Sequence, residues 1–135
     1  MPTSPRSQRL VAEALGSAFL LATVIGSGIM GAKLAGGNLA LALLGNTLPT
    51  GAILVVLITI FGPSSGAHFN PAVTLALTLR GKMTPREAWQ YVLSQLVGAM
   101  IGVWAAHVMF DLPVWQLSTF ARQSLFRVQS ALAGH

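Results

Sequence analysis

Long uncharged stretches alternate with short charged punctuation along this chain. From Leu10 to Ala32 there are 23 residues with Glu13 as the only charge, and Lys33 closes the run. Leu34 to Leu79 holds 46 residues without Lys, Arg, Asp or Glu, and a third uncharged run of 23 residues lies between Glu87 and Asp111. A membrane-crossing helix needs about 20 apolar residues, and 23 residues at a rise of about 1.5 Å reach roughly 34 Å. The first and third runs therefore predict one span each, over about 10–32 and 84–110. The third opens on Thr84-Pro85-Arg86-Glu87, a capping box with proline at the first helical position.

The middle run is too long for one helix, and Pro63-Ser64-Ser65-Gly66 is predicted to break it. That leaves a full helix over about 41–62, with a bend expected near Pro49, and a short remainder over 70–79. Ten residues at about 1.5 Å each cover roughly 15 Å, half a bilayer. Asn70 suits the N-cap and Pro71 the first helical position, while Arg80-Gly81-Lys82 ends the segment at a water interface. Irregular backbone at membrane depth is tolerated only where it lines a cavity or is buried in protein. The alternative, a solvated surface loop, is opposed by how apolar Pro63 to Leu79 is. The expected fold is an all-α membrane protein with three transmembrane helices and one re-entrant half-helix.

Composition agrees with that pattern: 53% of the residues are hydrophobic and 8% charged, against about 25% charged in soluble domains. A soluble domain and a disordered chain are both excluded. The absence of cysteine removes disulfides, thiolate nucleophiles and zinc-thiolate sites. A net charge of +5 would suit nucleic acid in a soluble protein, but here the basic residues lie outside the apolar runs and read as topology signals. The partner expected is the lipid bilayer, with no nucleic acid. No phosphate loop, metal cluster or nucleophile is present to suggest an enzyme, a metal or a cofactor.

Arg6, Arg9, Arg80, Lys82 and Arg86 fall on one side and Lys33, Arg122 and Arg127 on the other, which favours a cytoplasmic N-terminus. The expected layout is a cytoplasmic segment 1–9, a membrane domain 10–110 and an extracytoplasmic tail 111–135, in the cell's inner (plasma) membrane. The first run is too long for the apolar core of a cleaved signal peptide. In the tail, Leu117, Ala121, Leu125, Val128 and Leu132 recur at helical spacing, compatible with an interfacial amphipathic helix or with a frayed end.

Gly66-Ala67-His68-Phe69-Asn70-Pro71-Ala72-Val73-Thr74 resembles the first signature box of the aquaporin and aquaglyceroporin family. Ala12-Glu13-x-x-Gly16 and Gln95-x-x-Gly98-Ala99-x-x-Gly102 resemble that family's first and third helices, and the resemblance extends over about residues 9–119. Members of the family are roughly twice this length, with six spans, two half-helices and a second Asn-Pro-Ala box in an inverted repeat. Here a single box is present, so the pattern corresponds to the N-terminal half.

The resemblance implies roles for particular residues. A helix N-terminus carries roughly half a positive charge and unpaired N–H donors, so Asn70, Pro71 and Ala72 would present an electropositive tip that repels cations, with the Asn70 amide donating to passing water. The carbonyls of Gly66, Ala67 and His68 would form an acceptor ladder for the solute. Glu13 would accept hydrogen bonds from the pore loop's backbone, with Gln95 in a similar supporting role, and a structurally bonded imidazole is expected at His68. Thr50, twenty residues before Asn70, takes the place of an aromatic constriction residue. A threonine leaves a wider filter, admitting small neutral solutes such as glycerol or a metalloid acid as well as water. Three functions follow: half of a passive channel, completed by a homo-oligomer or a complementary second half; a truncated, non-conducting fragment; or a small proton-coupled transporter using Glu13. The transporter lacks a relay chain. Gly98-x-x-x-Gly102 and Ser27-x-x-x-Gly31 are candidate surfaces for close helix packing.

Overall fold

Pro5 stands at the N-cap of the first helix, and the polar residues that follow carry that helix beyond the apolar run. In a computed structural model, which describes residues 4–113, α1 spans Arg6–Leu34, starting four residues before the predicted boundary at Leu10. Apolarity marks the lipid-facing stretch and not the helix: Arg6, Ser7, Gln8 and Arg9 add a further turn outside it. At the other end Lys33 does not stop α1 but lies in its last turn, where a cation favours the helix dipole. Its ammonium sits 5.6 Å from the centre of the Phe110 ring.

Gly36 and Gly37, both at positive φ, turn the chain, and Asn38 caps α2 (Leu39–Ser65) by accepting from the Leu41 amide at 3.1 Å. The predicted break at Pro63 is corrected here. The helix runs through Pro49 and Pro63 and stops at Gly66, whose φ of 88° is left-handed. Proline removes one donor but holds a helical φ, so the helix continues past Pro63 with one bond fewer; the left-handed Gly66 is what ends it. Next, α3 occupies Pro71–Leu79 with Asn70 at its N-cap. Its C-terminus closes with the Gly81 amide donating to the Thr78 carbonyl at 3.0 Å and the Lys82 amide to the Leu77 carbonyl at 2.9 Å, a Schellman motif around Gly81 at φ 70°. The helix α4 (Pro85–Met109) starts on the Thr84–Glu87 capping box.

Three helices, α1, α2 and α4, are long and apolar enough to cross a membrane. At about 1.5 Å per residue the nine residues of α3 reach only about 14 Å. No strand occurs among the described residues. The described residues form an all-α membrane fold with three spans and one half-length helix.

Helix α1 is the hub, packing on both α4 and α2, while α3 rests against α4. A Cβ at Gly98 would collide with the Ala14 carbonyl, and one at Gly102 with the Ala18 carbonyl, so α1 and α4 run parallel in near backbone contact. The Ser94 hydroxyl donates to the Leu10 carbonyl one turn below. Against α2 the packing is antiparallel: a Cβ at Gly31 would lie 2.9 Å from the Ala42 carbonyl, and the Ser27 hydroxyl donates to Asn46 Oδ1 at 2.8 Å. Large apolar side chains such as Phe19, Leu43, Val55 and Ile60 face outward, as a lipid-embedded surface requires. The interior holds the polar Glu13, Ser17, Ser65, Thr74 and Gln95 beside Ala12, Leu57, Phe69, Tyr91 and Ala106. The tail segment at Leu117–Leu132, with Arg122 and Arg127, lies outside the described residues.

Candidate functional site

Between the end of α2 and the start of α3 the backbone is irregular and strained. Gly66, Ala67 and Phe69 all have positive φ, at 88°, 50° and 48°. For alanine and phenylalanine this is a sparsely populated region that costs about 1–3 kcal/mol per residue and persists only where the surroundings enforce it.

Glu13 provides that enforcement. Its side chain, fully buried on α1, accepts from the His68 amide at 3.0 Å and the Phe69 amide at 2.8 Å, and also from Ser65 Oγ at 2.7 Å and Gln95 Nε2 at 2.8 Å. Four donors from the loop, α2 and α4 thus converge on its two oxygens, as a scaffold for the loop requires. The Phe69 ring seats on Gly16, where a Cβ would collide with it, and meets the Phe61 ring edge-on at 6.1 Å.

Gln95 reaches across from α4 and donates from the same amide nitrogen to Thr74 Oγ1 at 3.0 Å. Thr74, fully buried on α3, also lies 3.0 Å from His68 Nδ1 and donates to the Asn70 carbonyl at 3.2 Å. One carboxylate and one carboxamide thus connect α1, the loop, α3 and α4.

With its inner side so held, the loop presents the opposite side. Asn70 is exposed; its Oδ1 accepts from the Ala72 amide at 2.8 Å, leaving the NH2 group pointing away from the cap. Pro71 and Ala72 are exposed beside it. No protein donor reaches the carbonyls of Gly66, Ala67 or His68 among the described residues. A cavity of about 90 Å³ adjoins this segment, bordered by Arg9, Ser65, Gly66, His68, Lys82 and Tyr91. That volume is room for several waters, each of which needs at least roughly 10–15 Å³.

The geometry therefore gathers Glu13, Gln95, Gly66, Ala67, His68, Asn70, Pro71 and Ala72 in one place. It does not gather Thr50, whose hydroxyl bonds its own helix at the Asn46 carbonyl, 2.8 Å away. Fifteen residues separate Thr50 from Ser65 along α2, about 22 Å at the helical rise. Ser65, Thr74 and Tyr91 belong to the site although sequence reasoning passed them over. Spacing offered a signal for Tyr91, which shares with Gln95, Gly98, Gly102 and Ala106 the buried stripe of α4.

Comparison with known proteins agrees with this geometry. A family model described as "Major intrinsic protein" matches residues 1–132. The aquaglyceroporin AqpS of Rhizobium meliloti (strain 1021) is 54% identical over 116 residues, which is 86% of this chain and 49% of that protein. Aquaporin Z of Photorhabdus laumondii is 34% identical over 119 residues, covering 88% of this chain and 49% of the relative, and aquaporin NIP1-1 of Zea mays is 34% identical over 106 residues, 78% and 36% respectively. The chain spans half or less of the length of these curated relatives. With a family match across nearly its whole length, the chain belongs to the major intrinsic protein family, whose members here are aquaporins and aquaglyceroporins.

Proposed function

We propose that the chain supplies half of a passive membrane channel for water and small neutral solutes such as glycerol or a neutral metalloid acid. One observation carries the reading: a strained loop, fixed from behind by Glu13, leaves three consecutive carbonyls without a protein donor directly before an exposed, Asn70-capped helix N-terminus. Carbonyls at Gly66, Ala67 and His68 replace part of a solute's hydration, the Asn70 amide donates to it, and the partial positive charge at Pro71-Ala72 repels cations. Thr50 sets a wide constriction further along α2. Glu13 and Gln95 support the loop and do not meet the solute. No bond is made or broken, so the activity is transport and not catalysis.

The exposed Asn70 tip and the free carbonyls of residues 66–68 are polar groups that need a cover in lipid. Either a second copy inserted in the opposite direction or a complementary second half supplies it. The excess of basic residues at Arg6, Arg9, Arg80, Lys82 and Arg86 favours a single orientation, and so a complementary half. In this arrangement the N-terminus is cytoplasmic, residues 111–135 are extracytoplasmic and the membrane is the plasma membrane. A chain that inserts without its complement would conduct nothing.

Osmotic shrinkage of proteoliposomes carrying the purified chain tests self-sufficiency. Permeability above that of bare lipid is expected only if copies pair in opposite directions; permeability equal to bare lipid, restored by adding a family C-terminal half, supports the complementary half. No permeability in either case refutes the channel reading.

A further inference from the structure

At the end of α2, Ser65 is gripped from two sides. Its hydroxyl donates to Glu13 Oε1 at 2.7 Å and accepts from the Ala67 amide at 3.1 Å. Its carbonyl accepts from the Tyr91 hydroxyl at 2.8 Å. Tyr91 is 1% exposed on α4, and its ring tilts at 52° against the His68 imidazole with centroids 5.1 Å apart.

A phenol has one proton to give, and Arg9 determines where it goes. Arg9 Nε donates to the Tyr91 oxygen at 3.1 Å, occupying its acceptor side, so the O–H is directed at Ser65. The guanidinium carbon lies 5.5 Å from the ring centre, and the Arg9 terminal nitrogen pairs with Glu87 Oε1 at 3.2 Å. Glu87 in turn closes the capping box by accepting from the Thr84 amide at 3.2 Å through its other oxygen. An unbroken chain of hydrogen bonds thus runs from the first turn of α4 through Glu87, Arg9 and Tyr91 to the residue that starts the strained loop.

We propose that Tyr91, oriented by Arg9, is a positioning residue for the pore loop: it takes the Ser65 carbonyl out of the solute's reach and fixes Gly66 as the first free acceptor. This rests on the reading of residues 66–68 as the acceptor ladder. Without the hydroxyl, the Ser65 carbonyl loses its donor and is free to turn away from α4, lengthening the ladder by one and loosening the residues behind it.

The chain contains a single tyrosine, so a ring-labelled tyrosine reports Tyr91 alone. Full-length chain in phosphatidylcholine vesicles, labelled at the tyrosine Cζ carbon, is compared by solid-state NMR with Arg9→Met. Amide hydrogen exchange is measured on Tyr91→Phe, which keeps the ring and removes only the hydroxyl. The expected results are a displaced Cζ signal in Arg9→Met and, in Tyr91→Phe, at least tenfold faster exchange at Ala67, His68 and Phe69 with α1 and α4 unchanged. An unmoved Cζ signal overturns the proposal. So does exchange at residues 67–69 that matches the unsubstituted chain, or an increase shared equally by the helices, which would mark plain destabilisation. Should Tyr91→Phe fail to fold, the Arg9→Met spectrum decides. Neither readout needs solute flow, so an absence of permeability both with and without a complementary half would refute the channel reading while leaving this test intact.

Discussion

Replacing Glu13 with alanine removes the acceptor for four donors at once, two of them the His68 and Phe69 backbone amides of the loop. Each buried N–H left without a partner costs about 1–3 kcal/mol, so the two loop amides together lose about 2–6 kcal/mol. At about 1.4 kcal/mol per tenfold, that is a rise of roughly 30-fold to 20,000-fold in the opened loop population. The strain at Ala67 and Phe69 acts in the same direction once nothing opposes it. Glutamine at this position keeps one acceptor oxygen and turns an NH2 donor toward the other two donors, so one loop amide rather than two loses its partner, a loss of about 1–3 kcal/mol. Hydrogen exchange in lipid nanodiscs reads the effect residue by residue. Protection at His68 and Phe69 should collapse in Glu13→Ala and fall partly in Glu13→Gln, with the amides of α4 largely retained. Unchanged protection at those two residues in a folded Glu13→Ala chain would refute the scaffold argument.

Other consequences follow from the packing and from the proposed pore. Gly98→Ala forces a Cβ into the Ala14 carbonyl and should destabilise the α1–α4 pair by about 1–3 kcal/mol, whereas Gly51→Ala, with open space around it, should be neutral or stabilising by up to about 1 kcal/mol; thermal unfolding in detergent compares the two. Thr50→Phe should lower glycerol permeability relative to water in osmotically responsive vesicles, and an unchanged ratio would remove Thr50 from the constriction. Asn70→Asp keeps a capping oxygen but adds a negative charge at the half-helix tip. It should slow water and admit sodium, read with a sodium-sensitive dye inside the vesicles.

Much of this architecture was legible in the sequence because local chemistry fixes it. Asn70-Pro71 starts α3 and Arg80-Gly81 ends it, and Thr84 with Glu87 starts α4, since caps act within one turn. Boundaries were less legible where two local signals compete. Pro63 looks like a breaker, yet the left-handed Gly66 ends α2, and α1 extends past its apolar run through the polar residues Arg6, Ser7, Gln8 and Arg9. The polar centre was only partly legible. Glu13 and Gln95 are conspicuous as polar groups inside spans, but Ser65 and Thr74 look like ordinary helix and turn residues. Their roles arise from contacts made 52 residues apart for Ser65 with Glu13 and 21 apart for Thr74 with Gln95. The positive φ of Ala67 and Phe69 had no residue-type signal either, because tertiary hydrogen bonds impose it against local preference.

The central claim is that α3 is a half-helix whose Asn70 end lies at the middle of the membrane. Because the chain lacks cysteine, single spin labels can be placed at Val73 and at Leu79, six residues apart and so separated by about 9 Å along the axis. Oxygen and nickel-chelate accessibility in vesicles then gives the depth of each label. The Val73 label should lie near the bilayer midplane with the Leu79 label about 9 Å shallower, toward the end carrying Arg80 and Lys82. Two labels at the same headgroup depth would mean a helix lying flat on the surface, and would contradict the account.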